Sequence, residues 1–514
     1  MKIVSAETMR ELDRRTVEAG TPDAALMNQA AAAACRELLS ILDILPGGEA
    51  NQRFTVCTGK GNNAGDGLVL ARLLRDEGYE VEIRAAAPLE EMTGAAAEQV
   101  PLLPEDVPVF GLAPDSLSSL PPGTVMLDCL LGTGIRGRLR PPFDEIIPAV
   151  NRSGQPVVAI DLPSGLDADT GTCDPEAIQA DATITMALPK AGLLTPRGLE
   201  YCGLLRCVDI GIPSAFVEEA TATGEAIFEQ DVRALLGRRP RHGHKRTFGD
   251  LLIVGGAVSY AGAPMLAGAG ALRFGAGLVR IAMPPAAAAV APRRFASLIV
   301  HPVGPPSGRT LTAACVEDVM ELCKRAGAIV FGPGVGKPRE SVPLLRALLH
   351  GSAPMLIDAD GIRALALLER EAILRPQPTI LTPHPGEMAA LLEGLGMEDR
   401  RDADREEQAA QVAERLQLTV VLKGAGTVIA GPDGRCAVNT SGTPALATAG
   451  TGDVLSGMIG GLMAQGMDAW DACRCGVFIH GLASELSPVG MRGLTADDLA
   501  ELIPYAALRC NPFA

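Results

Sequence analysis

The residues best able to do chemistry sit in short glycine-rich stretches that follow apolar runs. Ala449-Gly450-Thr451-Gly452-Asp453 is a small-residue turn ending in a carboxylate, and Val454–Ile459 reads as a helix opening. Glycine N–H groups and the start of a helix favour an anion. A carboxylate beside them can take a proton from a hydroxyl while the turn holds a transferring phosphoryl group. A plain helix cap with Asp as the capping residue fits the same stretch. Lys423-Gly424-Ala425-Gly426-Thr427 offers a cation, free N–H groups and a hydroxyl to a polyphosphate. It lacks the P-loop spacing, and a hairpin turn fits it equally well taken alone. Two anion-favouring loops in one α/β unit predict a nucleotide lying between them. His384 is held stiff between Pro383 and Pro385, with Glu387 close behind. The alternative there is a capped turn before a helix over Glu387–Leu395.

The first half carries a second set. Arg53–Cys57 reads as a buried strand, Thr58–Gly67 as a glycine-rich turn with Asn62, Asn63 and Asp66, and Leu68–Glu77 as a helix. The apolar runs Val125–Asp128 and Val157–Asp161 end in Asp and lead into Gly132-Thr133-Gly134 and Ser164-Gly165. Ligands of doubly wound sheets bind beyond the carboxyl ends of the strands. Asn, Asp and Ser are also ordinary turn residues, but three such ends carry them here.

The elements that must position these residues are α/β in pattern. The chain has 514 residues, so two or more domains are expected. Hydrophobic residues are 47% and aromatic ones only 3%. Such a composition packs small side chains closely, as helices do against parallel sheets. Further strands are expected at Glu80–Arg84, Ala182–Met186, Leu205–Ile210, Asp250–Val254, Leu278–Met283, Ala328–Phe331, Pro354–Ile357, Thr379–Leu381 and Thr419–Leu422, with a hairpin over Val428–Val438. Ser5–Leu45 reads as helical, as does Ala263–Phe274, and the mixed charges of Glu398–Glu407 as a solvated helix start. A boundary near Thr223 gives domains 1–223 and 224–514. A net charge of −16 argues against nucleic acid or an anionic membrane as partner. Neither a signal peptide nor a membrane span is expected. The 12 Cys are scattered without a CxxC pair, so a cytoplasmic protein with reduced core thiols is expected. Cys473 and Cys475 make a weak metal pair, because alternate residues on a helix point apart.

Taken together, the motifs resemble a known family. Lys245–Gly249, Gly255–Pro264, Gly332–Gly336, Asp358–Leu365, Thr382–Glu387, Lys423–Thr427 and Ala449–Gly457 are similar, in order, to the ADP/ATP-dependent NAD(P)H-hydrate dehydratases of the ribokinase-like superfamily. Leu26–Ala30, Gly59–Gly67, Asp128–Gly134 and Asp161–Asp167 resemble the NAD(P)H-hydrate epimerase domain. The resemblance implies a Rossmann-like three-layer α/β/α domain followed by a ribokinase-like three-layer α/β/α domain. It implies a bifunctional metabolite repair enzyme. One half interconverts the R and S hydrates of NADH and NADPH; the other dehydrates the S form at the expense of ADP, giving AMP and phosphate. It implies Asp161 and Asp453 as catalytic residues. Asn62, Asn63, Ala64, Gly65 and Asp66, with Gly132, Thr133, Gly134, Ile135, Arg136, Gly137, Arg138 and Asp161, would contact the hydrate in the epimerase. Ala263, Gly334, Gly336, His384 and Asp453 would contact it in the dehydratase, and Lys423, Gly424, Ala425, Gly426, Thr427 and Gly452 the nucleotide. Asn63, Asp128 and Ser164 would hold K+. Mg2+ is implied at the phosphates and a homo-oligomer as the assembly. Ala64 stands where many members have Gly; a positive φ there would cost Ala about 1 kcal/mol or more. The alternative reading is a vitamin-precursor kinase of the ribokinase superfamily fused to a nucleotide-binding domain. A further one is a first unit that serves only as an interaction or NAD-sensing module.

Overall fold

The computed structural model describes residues 1–397, 400 and 403–513. The chain divides into two compact units between Ala226 and Ile227, against the boundary expected near Thr223. Its strands are β1 (Lys2–Ile3), β2 (Arg53–Thr58), β3 (Glu80–Ala85), β4 (Val109–Gly111), β5 (Thr124–Cys129), β6 (Val157–Ile160), β7 (Ala182–Met186), β8 (Leu204–Val208) and β9 (Gly224–Ile227). They continue with β10 (Asp250–Val254), β11 (Leu278–Met283), β12 (Ile299–Pro302), β13 (Ala328–Phe331), β14 (Met355–Ile357), β15 (Thr379–Leu381), β16 (Thr419–Leu422), β17 (Val428–Ala430) and β18 (Cys436–Asn439).

In the first unit a parallel sheet runs β4-β3-β2-β5-β6-β7-β8. Its strand order reverses between β2 and β5, so the crevice for a ligand opens beyond their carboxyl ends. The Asn62–Asp66 and Asp128 positions lie at those two ends. β1 pairs antiparallel with β9, Lys2 opposite Glu225. The expected Ser5–Leu45 helix is two helices, Ala6–Glu18 and Asp23–Ile41, broken before Pro22. A proline disfavours the helical conformation in the residue before it.

In the second unit the order is β18-β17-β16-β15-β14-β13-β10-β11-β12. β10 to β16 are parallel and the β16–β17–β18 ribbon is antiparallel. Here the order reverses between β10 and β13, which puts the helix start at Ala263 and the loop carrying Gly334 at the switch point. The low aromatic content has a visible use. Helices Ala263–Arg273 and Thr451–Ala464 lie backbone to backbone: a Cβ on Gly457 would fall 1.7 Å from the Ala267 carbonyl oxygen, and one on Gly270 2.3 Å from that of Val454. Glycine at both positions lets the helix that carries Asp453 seat against its neighbour.

Two expected turns belong to helices. Asn62 opens the helix Asn62–Asp76, and Thr451 opens Thr451–Ala464, so Ala64 and Asp453 lie in first turns rather than in loops. Ala64 is fully buried and is not among the residues with positive φ, so the expected strain there is absent. The helix start expected within Glu398–Glu407 falls partly outside the described residues; within them a helix opens at Arg405. No helix among the described residues is long and apolar enough to cross a membrane.

Candidate active sites

In the first unit, Asp128 lies near the end of β5 and Asp161 directly follows β6. Asp128 is buried; its Oδ1 accepts from the Ser164 hydroxyl at 2.6 Å and from Leu130 N at 3.2 Å, and its Oδ2 accepts from Ser164 N at 2.7 Å. All three donors are neutral. Burial raises the Asp128 carboxyl to about 6, against the pull of the Ser164 and Leu130 hydrogen bonds. Asn63 donates from Nδ2 to the Leu131 carbonyl at 2.9 Å, while its Oδ1 is buried without a hydrogen-bond partner. The Ser164 hydroxyl joins the two, accepting from Leu131 N at 2.9 Å. A buried carboxylate, a hydroxyl, a carbonyl and an orphaned amide oxygen form a donor set that suits a hard cation. Gly132 lies against Asn63, 3.6 Å from its Cβ once given a side chain, and the exposed Arg136 reaches Asp169 at 3.7 Å.

Asp161 ends β6 with φ of 69°, a left-handed conformation costly for a non-glycine residue. Its Oδ1 receives Lys190 Nζ, Thr185 Oγ1 at 3.3 Å and Met186 N at 3.2 Å. Burial raises Asp66 well above the usual carboxylate range, with repulsion from Asp161, Asp13 and Asp23 adding to it. Asp13 is raised to about 6, first by burial, with Lys190 opposing and Asp161 adding. The thiols of Cys57 and Cys129 are pushed far up by burial, which keeps both inert.

In the second unit, Gly450 adopts φ of 93°, which a side chain would resist, and the helix then starts at Thr451. Asp453 sits in its first turn. Burial raises its carboxyl to about 7, with Asp358, Glu387 and Asp360 repelling and Lys423 pulling it back. Lys423 leaves β16 and donates to Asp358 Oδ1 at 2.9 Å, with Glu387 Oε2 at 3.8 Å. A Cβ on Gly452 would lie 3.3 Å from Lys423 Nζ. Lys423 therefore faces the Asp453 loop, and its own backbone loop runs on behind it. That loop is held by Arg405, whose Nη1 donates to the carbonyls of Ala425 at 2.6 Å and Gly426 at 3.1 Å, and whose Nη2 donates to Leu422 at 3.0 Å. Thr427 donates back to the Gly424 carbonyl at 3.0 Å.

The GPGVG loop closes the other side. A Cβ on Gly334 would fall 3.0 Å from that of Ala263, and Gly336 N donates to Asp360 Oδ2 at 2.8 Å. His384 caps the helix Pro385–Gly394: its Nδ1 accepts from Gly386 N at 3.0 Å and Glu387 N at 3.3 Å. Its proton is thereby left on Nε2, 3.3 Å from Glu387 Oε1. Beneath the Asp453 turn, the buried His480 donates from Nε2 to the Thr451 carbonyl at 2.9 Å, and burial lowers its pKa to about 4. A neutral ring there fixes the turn without adding charge. Among the described residues no group of three His, Cys, Asp or Glu side chains has the arrangement to hold a metal ion. Asp358 and Glu387 instead face Lys423.

A family model described as NAD(P)H-hydrate dehydratase matches residues 251–505, and one described as YjeF-related protein N-terminus matches 23–192. The bifunctional NAD(P)H-hydrate repair enzyme of Coxiella burnetii is 36% identical over 514 residues, covering 98% of each chain. That of Moorella thermoacetica is 36% identical over 515 residues, covering 98% of this chain and 96% of its own. The chain belongs to the bifunctional NAD(P)H-hydrate repair enzymes. The ADP/ATP-dependent NAD(P)H-hydrate dehydratase of Bacillus subtilis, crystallised with ATP and Mg2+, is 30% identical, covering 57% of this chain and all of its own at a TM-score of 0.47.

For a member of that family, several residues of the two sites escape sequence reasoning. Lys190, Asp13, Arg405 and His480 are not singled out by it, and Asp358 and Asp360 stand only as part of a matching string. Lys190 and Asp358 do follow strand ends, β7 and β14, and that position is a usable signal. Arg405 and His480 sit in helices and give none.

Proposed function

We propose that the second unit restores NAD(P)H from its S hydrate by phosphorylating the ring hydroxyl from ADP. Asp453 takes the hydroxyl proton while the oxygen attacks the terminal phosphoryl group, and AMP leaves. The N–H groups at Thr451–Asp453 and the Lys423 ammonium face the transferring charge. The ring nitrogen's lone pair then expels phosphate, and loss of the proton on the neighbouring carbon restores the double bond. The sum is hydrate plus ADP giving NAD(P)H, AMP and phosphate. Ala263, Gly334, Gly336 and His384 line the hydrate side; Gly424–Thr427 and Gly452 line the nucleotide side. The observation that carries this reading is Asp453: a half-buried carboxylate, raised to about 7, in the first turn of a helix that opens on glycine. A base of that pKa is matched to work near neutral pH. Mg2+ would screen the nucleotide's phosphates.

The first unit, on the same reading, epimerises the hydrate. Asp161 takes the proton from the hydroxyl on the carbon beside the ring nitrogen. That carbon–nitrogen bond opens, its pair going to nitrogen and into the conjugated carboxamide. The nitrogen closes on the other face of the aldehyde, and Asp161 returns the proton. Asn62–Asp66 and Gly132–Arg138 would hold the phosphates and sugars. Asn63 Oδ1, Asp128 and Ser164 would hold K+, which supplies positive charge beside a buried carboxylate. Assembly of several copies and a cytoplasmic location belong to the same proposal; light scattering and fractionation test them.

The experiment for the whole reading is recovery of NADH absorbance from the S hydrate, with ADP and ATP run side by side in Mg2+. Recovery with ADP is expected, and no recovery with either nucleotide rejects the dehydratase.

A further inference from the structure

A buried lysine in the first unit has no part in either proposed reaction. Lys190 Nζ is 1% exposed, and its partners are Asp161 Oδ1, Thr185 Oγ1 at 3.2 Å and the Met186 carbonyl at 3.0 Å. An ammonium has three donors, and these three acceptors use them all. The bonds that Thr185 and Met186 make to Asp161 also end on Oδ1. The carboxylate is gripped by one oxygen, and its side chain keeps 17% of its exposure. Carboxylates on three other elements surround this pair: Asp13 on Ala6–Glu18, Asp23 at the start of Asp23–Ile41 and Asp66 on Asn62–Asp76. Burial raises Asp13 and Asp66, and Lys190 opposes the rise in both.

We propose that Lys190 is a positioning residue of the epimerase site, holding Asp161 by Oδ1 so that Oδ2 faces the hydroxyl of the hydrate. The proposal rests on the epimerase reading. It assigns Lys190 no contact with substrate; three fixed donors leave the ammonium no proton to exchange without breaking the cluster. It also accounts for the backbone of Asp161. Its left-handed φ is a cost of order 1 kcal/mol or more, offset by three bonds that converge on one oxygen.

The test uses full-length protein with Lys190→Met and Lys190→Arg, measuring kcat and KM for consumption of the R hydrate of NADH in excess ADP. Dehydration of the S hydrate by the same preparations reports folding. Lys190→Met should lower kcat for the R hydrate about a hundredfold and leave KM within about twofold. Lys190→Arg, which keeps the charge, should recover about a tenth of the parental rate or more. Parental kcat in Lys190→Met overturns the proposal, and so does a change confined to KM. If Lys190→Met also loses S-hydrate dehydration, the neutral pair Lys190→Met with Asp161→Asn is compared with Asp161→Asn alone. Equal rates uphold the proposal, since Lys190 then acts only through Asp161; an additive loss overturns it. A parent that leaves the R hydrate untouched removes the epimerase reading itself, and this inference with it.

Discussion

Each unit sets a lysine among carboxylates beyond the ends of parallel strands, Lys190 buried and Lys423 half-buried, yet the two are wired differently. In the first unit Lys190 grips Asp161, the proposed base itself. In the second, Lys423 donates to Asp358 and leans toward Glu387, while Asp453 keeps only its distant pull. One base is held by direct contact with its lysine. The other is left under burial and like charge and rises to about 7. The proposed reactions ask for this difference. Opening a carbinolamine needs a carboxylate ready at once. Phosphoryl transfer needs a base that gains basicity and that an incoming nucleotide can face without a rival cation on its oxygens. The lysine's partner, rather than its presence, separates the two chemistries.

The sharpest way to break the comparison is Asp453→Asn. It should lower S-hydrate dehydration about a thousandfold and leave R/S interconversion at the parental rate, read by chromatography of the two epimers. In the parent, dehydration should fall as pH drops below about 7, where Asp453 gains its proton. Stability should move the other way. Its folded pKa is raised above 3.8, so the folded protein binds the proton more tightly than the unfolded chain does. Stability from this group is therefore present at low pH and lost as pH rises through about 7. Roughly three units correspond to a cost on the order of 4 kcal/mol at pH 8 as an upper bound. Asp453→Asn should melt higher than the parent at pH 8, with the gap closing toward pH 4.

Asp161→Ala should lower R-hydrate consumption about a hundredfold while the S hydrate is still consumed. An R-hydrate rate equal to the parent's would remove Asp161 from its place in the comparison. Asp161 is legible in the amino-acid sequence and Lys190 is not, for a physical reason. β6 and β7 are apolar runs whose ends are local facts, and the Asp at the end of one is visible by inspection. The pairing of Asp161 with a lysine 29 positions away is set by two adjacent strands in register, Ile160 beside Ile184. Asn63, Asp128 and Ser164 are legible singly for the same reason. The orphaned Oδ1 that singles out Asn63 exists only once Leu131 has taken the other end of the amide.

Arg405 tests whether the second site's loops are held from behind. It is buried enough to lower its pKa, and the hydrogen bonds it makes go to loop carbonyls, at Leu422, Ala425 and Gly426. With carbonyls turned to Arg405, the loop's N–H groups are free to face phosphates. Arg405→Met should raise KM for the nucleotide about tenfold, or about 1.4 kcal/mol, with kcat for the S hydrate within about threefold. An equal fall in kcat would mean that the guanidinium acts on the transition state rather than on loop shape.

The smallest effect concerns Ala64, where family resemblance and local structure disagree. A glycine preferred at that position suggests a left-handed turn, and the fold puts a helix there instead. Asn62 opens it, Ala64 N donates to the Gly61 carbonyl at 3.0 Å, and the methyl group is fully buried. In that setting glycine loses the helix preference of alanine, about 1 kcal/mol, and leaves a methyl-sized void. Ala64→Gly should therefore lower the stability of the first unit by about 1 kcal/mol in denaturant titration and leave the epimerisation rate within about twofold. The neighbouring Gly65 is the residue the fold cannot spare: a Cβ there would meet Met27 Sδ at 2.7 Å and Ala96 Cα at 2.9 Å, on two other helices. Gly65→Ala should thus cost more than Ala64→Gly, although the two changes exchange the same pair of residue types one position apart. If Ala64→Gly instead speeds epimerisation, the loop's need is for mobility, and the rigid grip on the first site's base is the weaker half of the comparison.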